Sequence, residues 1–148
     1  MPTALQSLFL GTNNIDRLYG LLIVAGLFAV TLACYAVGVF YVSGGLVFIP
    51  FYAAIVGMVG ALWVGYRQHG LLFAWAVTYA ALLGYMAYSS FFGLWGRPLA
   101  YRISSFLASD GLGFFGVQAL ILGAIAFSAG HVAQVGLKAV KRHAATTK

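Results

Sequence analysis

Residues 18–42 read LYGLLIVAGLFAVTLACYAVGVFYV, a stretch of 25 positions without one charged side chain. The hydrocarbon core of a bilayer is about 30 Å thick, and a helix needs about 20 apolar residues to cross it. Within lipid, a helix satisfies all its backbone hydrogen bonds in one segment, whereas a lone strand does not. The stretch is also longer than the apolar core of a signal peptide, about 7–15 residues. We therefore predict a retained transmembrane helix.

Three further uncharged runs, at 46–66, 71–95 and 112–137, are long enough for the same interpretation. The composition agrees, because 63% of the residues are hydrophobic and only 7% are charged, against about 25% charged in soluble domains. The sequence predicts one all-α integral membrane domain, residues 1–148, with four spans and a basic tail at 138–148.

The connections between the runs are short, which predicts an antiparallel bundle. SGG at 43–45 and RQHG at 67–70 leave room only for tight turns. The longest link, 96–111, carries an apolar face that includes Leu99 and Ile103. We predict that this link forms a short helix lying in the membrane interface between spans three and four.

Basic residues predict the orientation of the bundle. With four spans, one side holds six of the eight Lys and Arg residues and the other side holds only Arg97 and Arg102. Basic residues are retained on the cytoplasmic side. Both termini are therefore expected in the interior, of either a cell or a viral envelope.

The counts of reactive side chains argue against an enzyme. The chain has no glutamate, and its two aspartates, Asp16 and Asp110, fall on opposite sides of the predicted topology, each near a helix start. No carboxylate pair can flank a bond, no Cys/His set has metal-ligand spacing, and no glycine-rich phosphate loop carries a lysine. We expect no enzymatic activity, metal or cofactor.

His131 and Gln134 are the candidate functional residues within a span. With Ser128 they form a polar ridge near the inner end of span four. This ridge either lines a water-filled vestibule or reaches the headgroups, and a haem held by His69 and His131 is a further conceivable arrangement. We interpret His131 as marking where the helix leaves the membrane.

Small residues recur with regular spacing in spans two and four. Such faces let helix backbones approach closely in lipid. One set repeats every four residues and the other follows a seven-residue pattern, which favours a left-handed crossing. We expect the span-four set inside the bundle and the span-two set against another subunit. The two sets are Ala53, Gly57, Ala61 and Gly65 in span two, and Gly116, Ala119, Gly123, Ala126, Gly130 and Ala133 in span four.

The basic tail carries Lys138, Lys141, Arg142 and Lys148 and no acid. Near an anionic leaflet each cation contributes about 1 kcal/mol, so we expect contact with lipid headgroups or another polyanion. No base-reading motif accompanies these charges, and sequence-specific nucleic-acid binding is not predicted.

No motif in the chain identifies a family. The leading hypothesis is a non-enzymatic structural or accessory membrane protein that assembles with copies of itself or with a larger membrane complex, such as an envelope component. The alternative is a small transporter or channel for an apolar or neutral solute, which requires polar groups that converge at mid-depth.

Overall fold

The computed structural model describes residues 17–41 and 50–146 and is all-helical. Within these ranges 85% of the residues are helical and there is no strand. The all-α prediction is therefore confirmed. The turn predicted at 43–45, Asp16 and Lys148 lie outside the described residues. The helices are α1 (Arg17–Ala36), α2 (Phe51–Arg67), α3 (Leu71–Phe91), α4 (Leu99–Phe106) and α5 (Ser109–Thr146).

Three segments of the described chain are long and apolar enough to cross a membrane. They are Leu18–Ala36, Leu71–Phe91 and the stretch Leu99–Ala145, which contains α5. These lengths indicate a membrane protein. Helix α2 is also apolar but has only 17 residues, or about 26 Å of helix.

Helix α1 ends before its uncharged run ends, and the backbone conformation explains the ends of both α1 and α2. Helix α1 stops at Ala36, and Gly38 then takes a left-handed φ of 78° that glycine adopts without strain. Helix α2 ends at Arg67, because Gln68 takes a φ of 57° and its N–H bonds back to the Gly65 carbonyl. Gly70, at a φ of 100°, then starts α3.

Helix α5 is much longer than the predicted span. It has 38 residues, or about 57 Å of helix, and it continues through the basic segment to Thr146. Residues 138–146 contain neither glycine nor proline, so nothing in this segment interrupts the helix. The segment predicted as a basic tail is therefore mostly a continuation of α5.

Helix α3 is the centre of the packing, since it contacts α1, α2, α4 and α5. Helix α5 packs on α2 and α3, whereas α1 packs on α3 and touches α2 only slightly. Buried side chains form two clusters. The first contains Ala61, Val64, Ala74, Val77, Ala126 and Phe127, and the second contains Tyr35, Ala53, Leu82 and Ala119.

The short helix expected between spans three and four is present as α4. It has no buried residue. Arg102 fastens it to the preceding turn: its Nε donates to the Arg97 carbonyl at 3.0 Å, and its guanidinium carbon lies 5.5 Å from the Trp95 ring centroid. A cation over an aromatic ring is an attractive contact.

Candidate functional site: helix crossings and a basic pocket

Helices α2 and α5 approach each other closely at two glycines. A Cβ atom built on Gly65 would collide with the Phe127 carbonyl oxygen, and one built on Gly130 would collide with the Leu62 carbonyl oxygen. The two backbones therefore touch without an intervening side chain. This is the packing that attracts helices in lipid.

The whole small-residue stripe of α2 is used inside one copy of the protein. Ala53, Gly57, Ala61 and Gly65 are all buried. A Cβ on Gly57 would lie 3.0 Å from the Thr78 Cα of α3. A four-residue spacing turns about 40° around a helix at each step, so the stripe faces α3 at Gly57 and reaches α5 at Gly65. The expectation that this stripe would face another subunit is wrong.

The set of small residues in α5 is buried in its middle and less buried at its two ends. Ala119, Gly123, Ala126 and Gly130 are buried, and a Cβ on Gly123 would lie 2.9 Å from Trp75 Cδ1. The outer members differ: Gly116 is partly buried and Ala133 is exposed. The reason is that only the central part of the long helix faces both α2 and α3.

Some polar side chains inside the bundle have hydrogen-bond partners and others do not. The Thr78 hydroxyl donates to the Ala74 carbonyl at 2.9 Å and lies 3.4 Å from the Gly57 carbonyl, which connects α3 to α2. Thr31 and Gln118 are buried, and Thr31 Oγ1 and Gln118 Oε1 have no hydrogen-bond partner. Within the described ranges, no hydrogen bond joins Thr31 to Gln118.

The outward face of α1 is an unpredicted third set of small residues. A Cβ on Gly26 would have no atom within 4 Å, and the described residues leave its small neighbours on this face exposed. The four-residue spacing of three alanines was the sequence signal. The exposed members are Ala25, Gly26, Ala29, Ala33 and Ala36.

A basic pocket of about 510 Å³ lies between the end of α2 and the extension of α5. The Arg67 guanidinium carbon is 5.4 Å from the Trp63 ring centroid. The Gln134 side-chain oxygen is buried at this site and has no hydrogen-bond partner. The lining residues are Trp63, Tyr66, Arg67, Gln134, Leu137, Lys138 and Lys141.

Three of the residues predicted from the sequence as functional line the pocket, and others do not. Lys138, Lys141 and Gln134 line it, whereas Arg142 and His131 do not. His131 is partly exposed and stacks on Phe127, with ring centroids 6.3 Å apart. Sequence reasoning missed the contribution of Arg67, because only the fold brings the end of α2 beside α5.

His69 occupies the turn before α3. Its ring lies 6.0 Å from the Trp63 ring and 6.4 Å from the Phe73 ring, centroid to centroid. Burial, and secondarily the Arg67 charge, lower the pKa of His69 below its ordinary value, which favours the neutral ring. His69 and His131 thus contact different aromatic rings, and the described residues contain no group of three or more potential metal ligands.

Comparison of the chain with protein families, with curated proteins and with solved structures finds no match. The contacts, exposed faces and charges described above are therefore the support for a function.

Proposed function

We propose that the chain is a non-enzymatic, four-span membrane protein that assembles with copies of itself through the outward face of α1. It serves as a structural or accessory component of a cell membrane or envelope, alone or within a larger membrane complex. The observation that carries this proposal is the small-residue face of α1, which the described residues leave uncovered, whereas the α2 face and the middle of the α5 face are occupied within one copy.

The two core clusters support an antiparallel four-span arrangement. The first cluster takes the later half of α2, the early half of α3 and the middle of α5, with Ile23 and Leu27 of α1 packed against it. The second takes the end of α1, the start of α2 and the early part of α5. Leu82, in the later half of α3, also belongs to the second cluster, and this alternation supports opposite directions for α1, α2, α3 and α5 in turn.

Reporter fusions test this topology. Fusions at Lys148 and within 67–70 should report the cytoplasmic side, and a fusion within 99–108 should report the opposite side. The basic residues supply the physical reason, because they resist transfer across the membrane. A cytoplasmic signal from 99–108 contradicts the four-span arrangement.

The outward face of α1 suits a second helix for a physical reason. Lipid tails are as apolar as leucine, so association depends on close packing and not on escape from water. Ala25, Ala29 and Ala33 leave a shallow groove in which a neighbouring backbone gains many dispersion contacts at once. A second copy of α1 offers the same groove and satisfies the symmetry of a dimer.

Crosslinking in native membranes tests this interface with a matched pair of variants. Gly26→Leu and Gly113→Leu each add a side chain where no atom lies within 4 Å, so both should fold. Gly26→Leu should abolish the crosslinked dimer, and Gly113→Leu, on α5, should retain it. A dimer that persists in Gly26→Leu excludes this face as the interface.

Mass spectrometry of the material that copurifies distinguishes self-assembly from a larger complex. The transporter alternative has one observation in its favour, the unpartnered oxygens of Thr31 and Gln118. These lie on different helices, and no hydrogen bond between described residues joins them. We therefore favour assembly.

A further inference from the structure

The basic pocket presents three cations, Arg67, Lys138 and Lys141, around one cavity. Of the two aspartates in the chain, the structure describes Asp110, in the first turn of α5. Lys138 follows it by 28 positions in the same helix, or about 42 Å. At that distance the carboxylate does not neutralise the pocket, since salt screens exposed charges beyond about 8–10 Å.

The neutral residues of the pocket suit a phosphate at a membrane boundary. Gln134 has a buried side-chain oxygen without a partner, and turning its amide presents two N–H donors in the same place. Trp63 and Tyr66 have an apolar ring with a polar edge, which suits the headgroup region. Arg67 supplies a planar donor pair that matches phosphate oxygens.

An apolar groove adjoins the pocket and opens on the lipid side. It has a volume of about 430 Å³ and lies between α1 and α2, which barely touch each other. Its floor includes Gly60 and Val77, and its lining is entirely apolar. Trp63 lines both the groove and the basic pocket. Trp63 is therefore a wall common to both spaces.

We propose that the pocket and the groove together bind one anionic phospholipid. The phosphate lies among Arg67, Lys138 and Lys141, and one acyl chain lies in the groove beyond Trp63. Charge complementarity selects an anionic headgroup, and the groove selects a ligand with an apolar chain. This site is complete within one copy, so it does not depend on self-association through α1.

Titration of the purified full-length chain in detergent micelles tests the ligand. The probes are phosphatidylglycerol, phosphatidylcholine with the same acyl chains, and inorganic phosphate. We expect one phosphatidylglycerol per chain and binding at least about tenfold weaker for the other two probes, a difference of about 1.4 kcal/mol. Equal binding of phosphatidylcholine overturns the charge selection. Inorganic phosphate binding as tightly as phosphatidylglycerol overturns the role of the groove.

Two double variants distinguish lipid binding by the pocket from attraction to the general positive charge of the chain. Lys138→Gln with Lys141→Gln removes two pocket cations, whereas Arg97→Gln with Arg142→Gln removes the same charge from described positions outside the lining. Lys138, Lys141 and Arg142 are in the α5 extension, away from the helix crossings, and Arg97 lies in the turn before α4. The pocket pair should weaken phosphatidylglycerol binding roughly thirtyfold, on the basis of about 1 kcal/mol per cation. The control pair should change it less than about threefold. Equal losses would falsify a built site.

A brominated acyl chain tests the groove directly, because bromine quenches tryptophan fluorescence at contact. Phosphatidylglycerol with brominated chains should quench the wild-type chain, and Trp63→Phe should remove most of that quenching. Trp95→Phe, at the other end of the bundle, is the control and should preserve it. Quenching unchanged in Trp63→Phe overturns the placement of the acyl chain.

Discussion

Helices α1 and α3 are both apolar and about equally long, yet they take opposite places in the bundle. The mean hydropathy of α1 is 2.1 and that of α3 is 1.5, but 17% of the α1 window is buried against 50% of the α3 window. The more hydropathic helix is therefore the peripheral one. In a soluble protein the order would be the reverse, because water drives the most apolar surface inward.

The difference shows what selects the centre of a bundle in lipid. Helix α3 contains small and hydroxyl-bearing residues, and Ala81, Gly84 and Thr78 are among its ten buried positions. Helix α1 has three buried positions, and one of them is Thr31. Small side chains bring backbones together, and hydroxyl groups find partners only inside the protein. Large aliphatic side chains lose little by facing lipid.

The largest effect that separates the two helices should come from Gly84→Leu. A Cβ on Gly84 would lie 2.9 Å from the Phe28 carbonyl oxygen and from Thr31 Cβ, so a larger side chain must push α1 away from α3. We expect a loss of about 3 kcal/mol in the free energy of unfolding, measured by unfolding in denaturing detergent. Gly26→Leu on the outward face of α1 is the control and should cost almost nothing when both proteins are measured at concentrations where the chain is monomeric. Equal losses in the two variants would remove the distinction between the helices.

A smaller difference in the free energy of unfolding should appear when one leucine on each helix is replaced by alanine. Leu82 of α3 is fully buried, whereas Leu22 of α1 is 58% exposed. Leu82→Ala should lower the free energy of unfolding by about 2 kcal/mol, because it leaves a cavity. Leu22→Ala exchanges one lipid contact for another and should lower it by less than about 0.5 kcal/mol. The same denaturing-detergent titration measures both, and a larger loss at Leu22 would contradict the described burial.

A pH-dependent effect is expected at the start of α3 and is smaller again. The pKa of His69 is lowered in the folded chain by burial, and secondarily by Arg67. Between that lowered pKa and the ordinary value of 6.5, the unfolded chain binds the proton and the folded chain does not. The free energy of unfolding should therefore fall as the pH drops below about 6.5.

His69→Gln isolates this contribution. Unfolding measured at pH 5.5, 6.5 and 7.5 should show a shallower fall for the variant than for the wild type. The remaining histidines and both aspartates are common to the two proteins, so the difference belongs to His69. Identical slopes would show that the ring is solvated.

The smallest effect should come from His131→Gln. The ring of His131 stacks on Phe127 but remains partly exposed and does not line the basic pocket. We expect a change below about 0.5 kcal/mol in the free energy of unfolding and an unchanged amount of crosslinked dimer. A loss of the dimer with normal expression would assign His131 a role that its contacts do not explain.

Hydropathy and residue spacing predicted the positions of the helices better than they predicted which neighbour each helix face contacts. The apolar runs at 71–95 and 112–137 contain all of α3 and the apolar part of α5, because a helix satisfies every backbone hydrogen bond of an apolar segment in lipid. The end of α1 at Ala36 could not be predicted, since it depends on the conformation of Gly38 and not on polarity.

The same limit applies to the candidate sites. The glycines of α2 and α5 were recognisable from their spacing, but the partner of each stripe depends on how the helices are arranged in three dimensions. The basic pocket needed Arg67 beside Lys138, two residues far apart in the chain. Local sequence patterns identify such groups separately and do not place them together.

The contact between Gly65 and the segment around Gly130 sets an order of events during synthesis. The two glycines are 65 positions apart, and translation at about 5–20 residues per second separates them by about 3 to 13 s. Throughout that interval the Gly65 end of the α2 stripe lacks its α5 partner. A nascent chain therefore offers its neighbours a groove that the finished protein hides, and crowding of nascent chains at one insertion site favours exchange of α5 between copies.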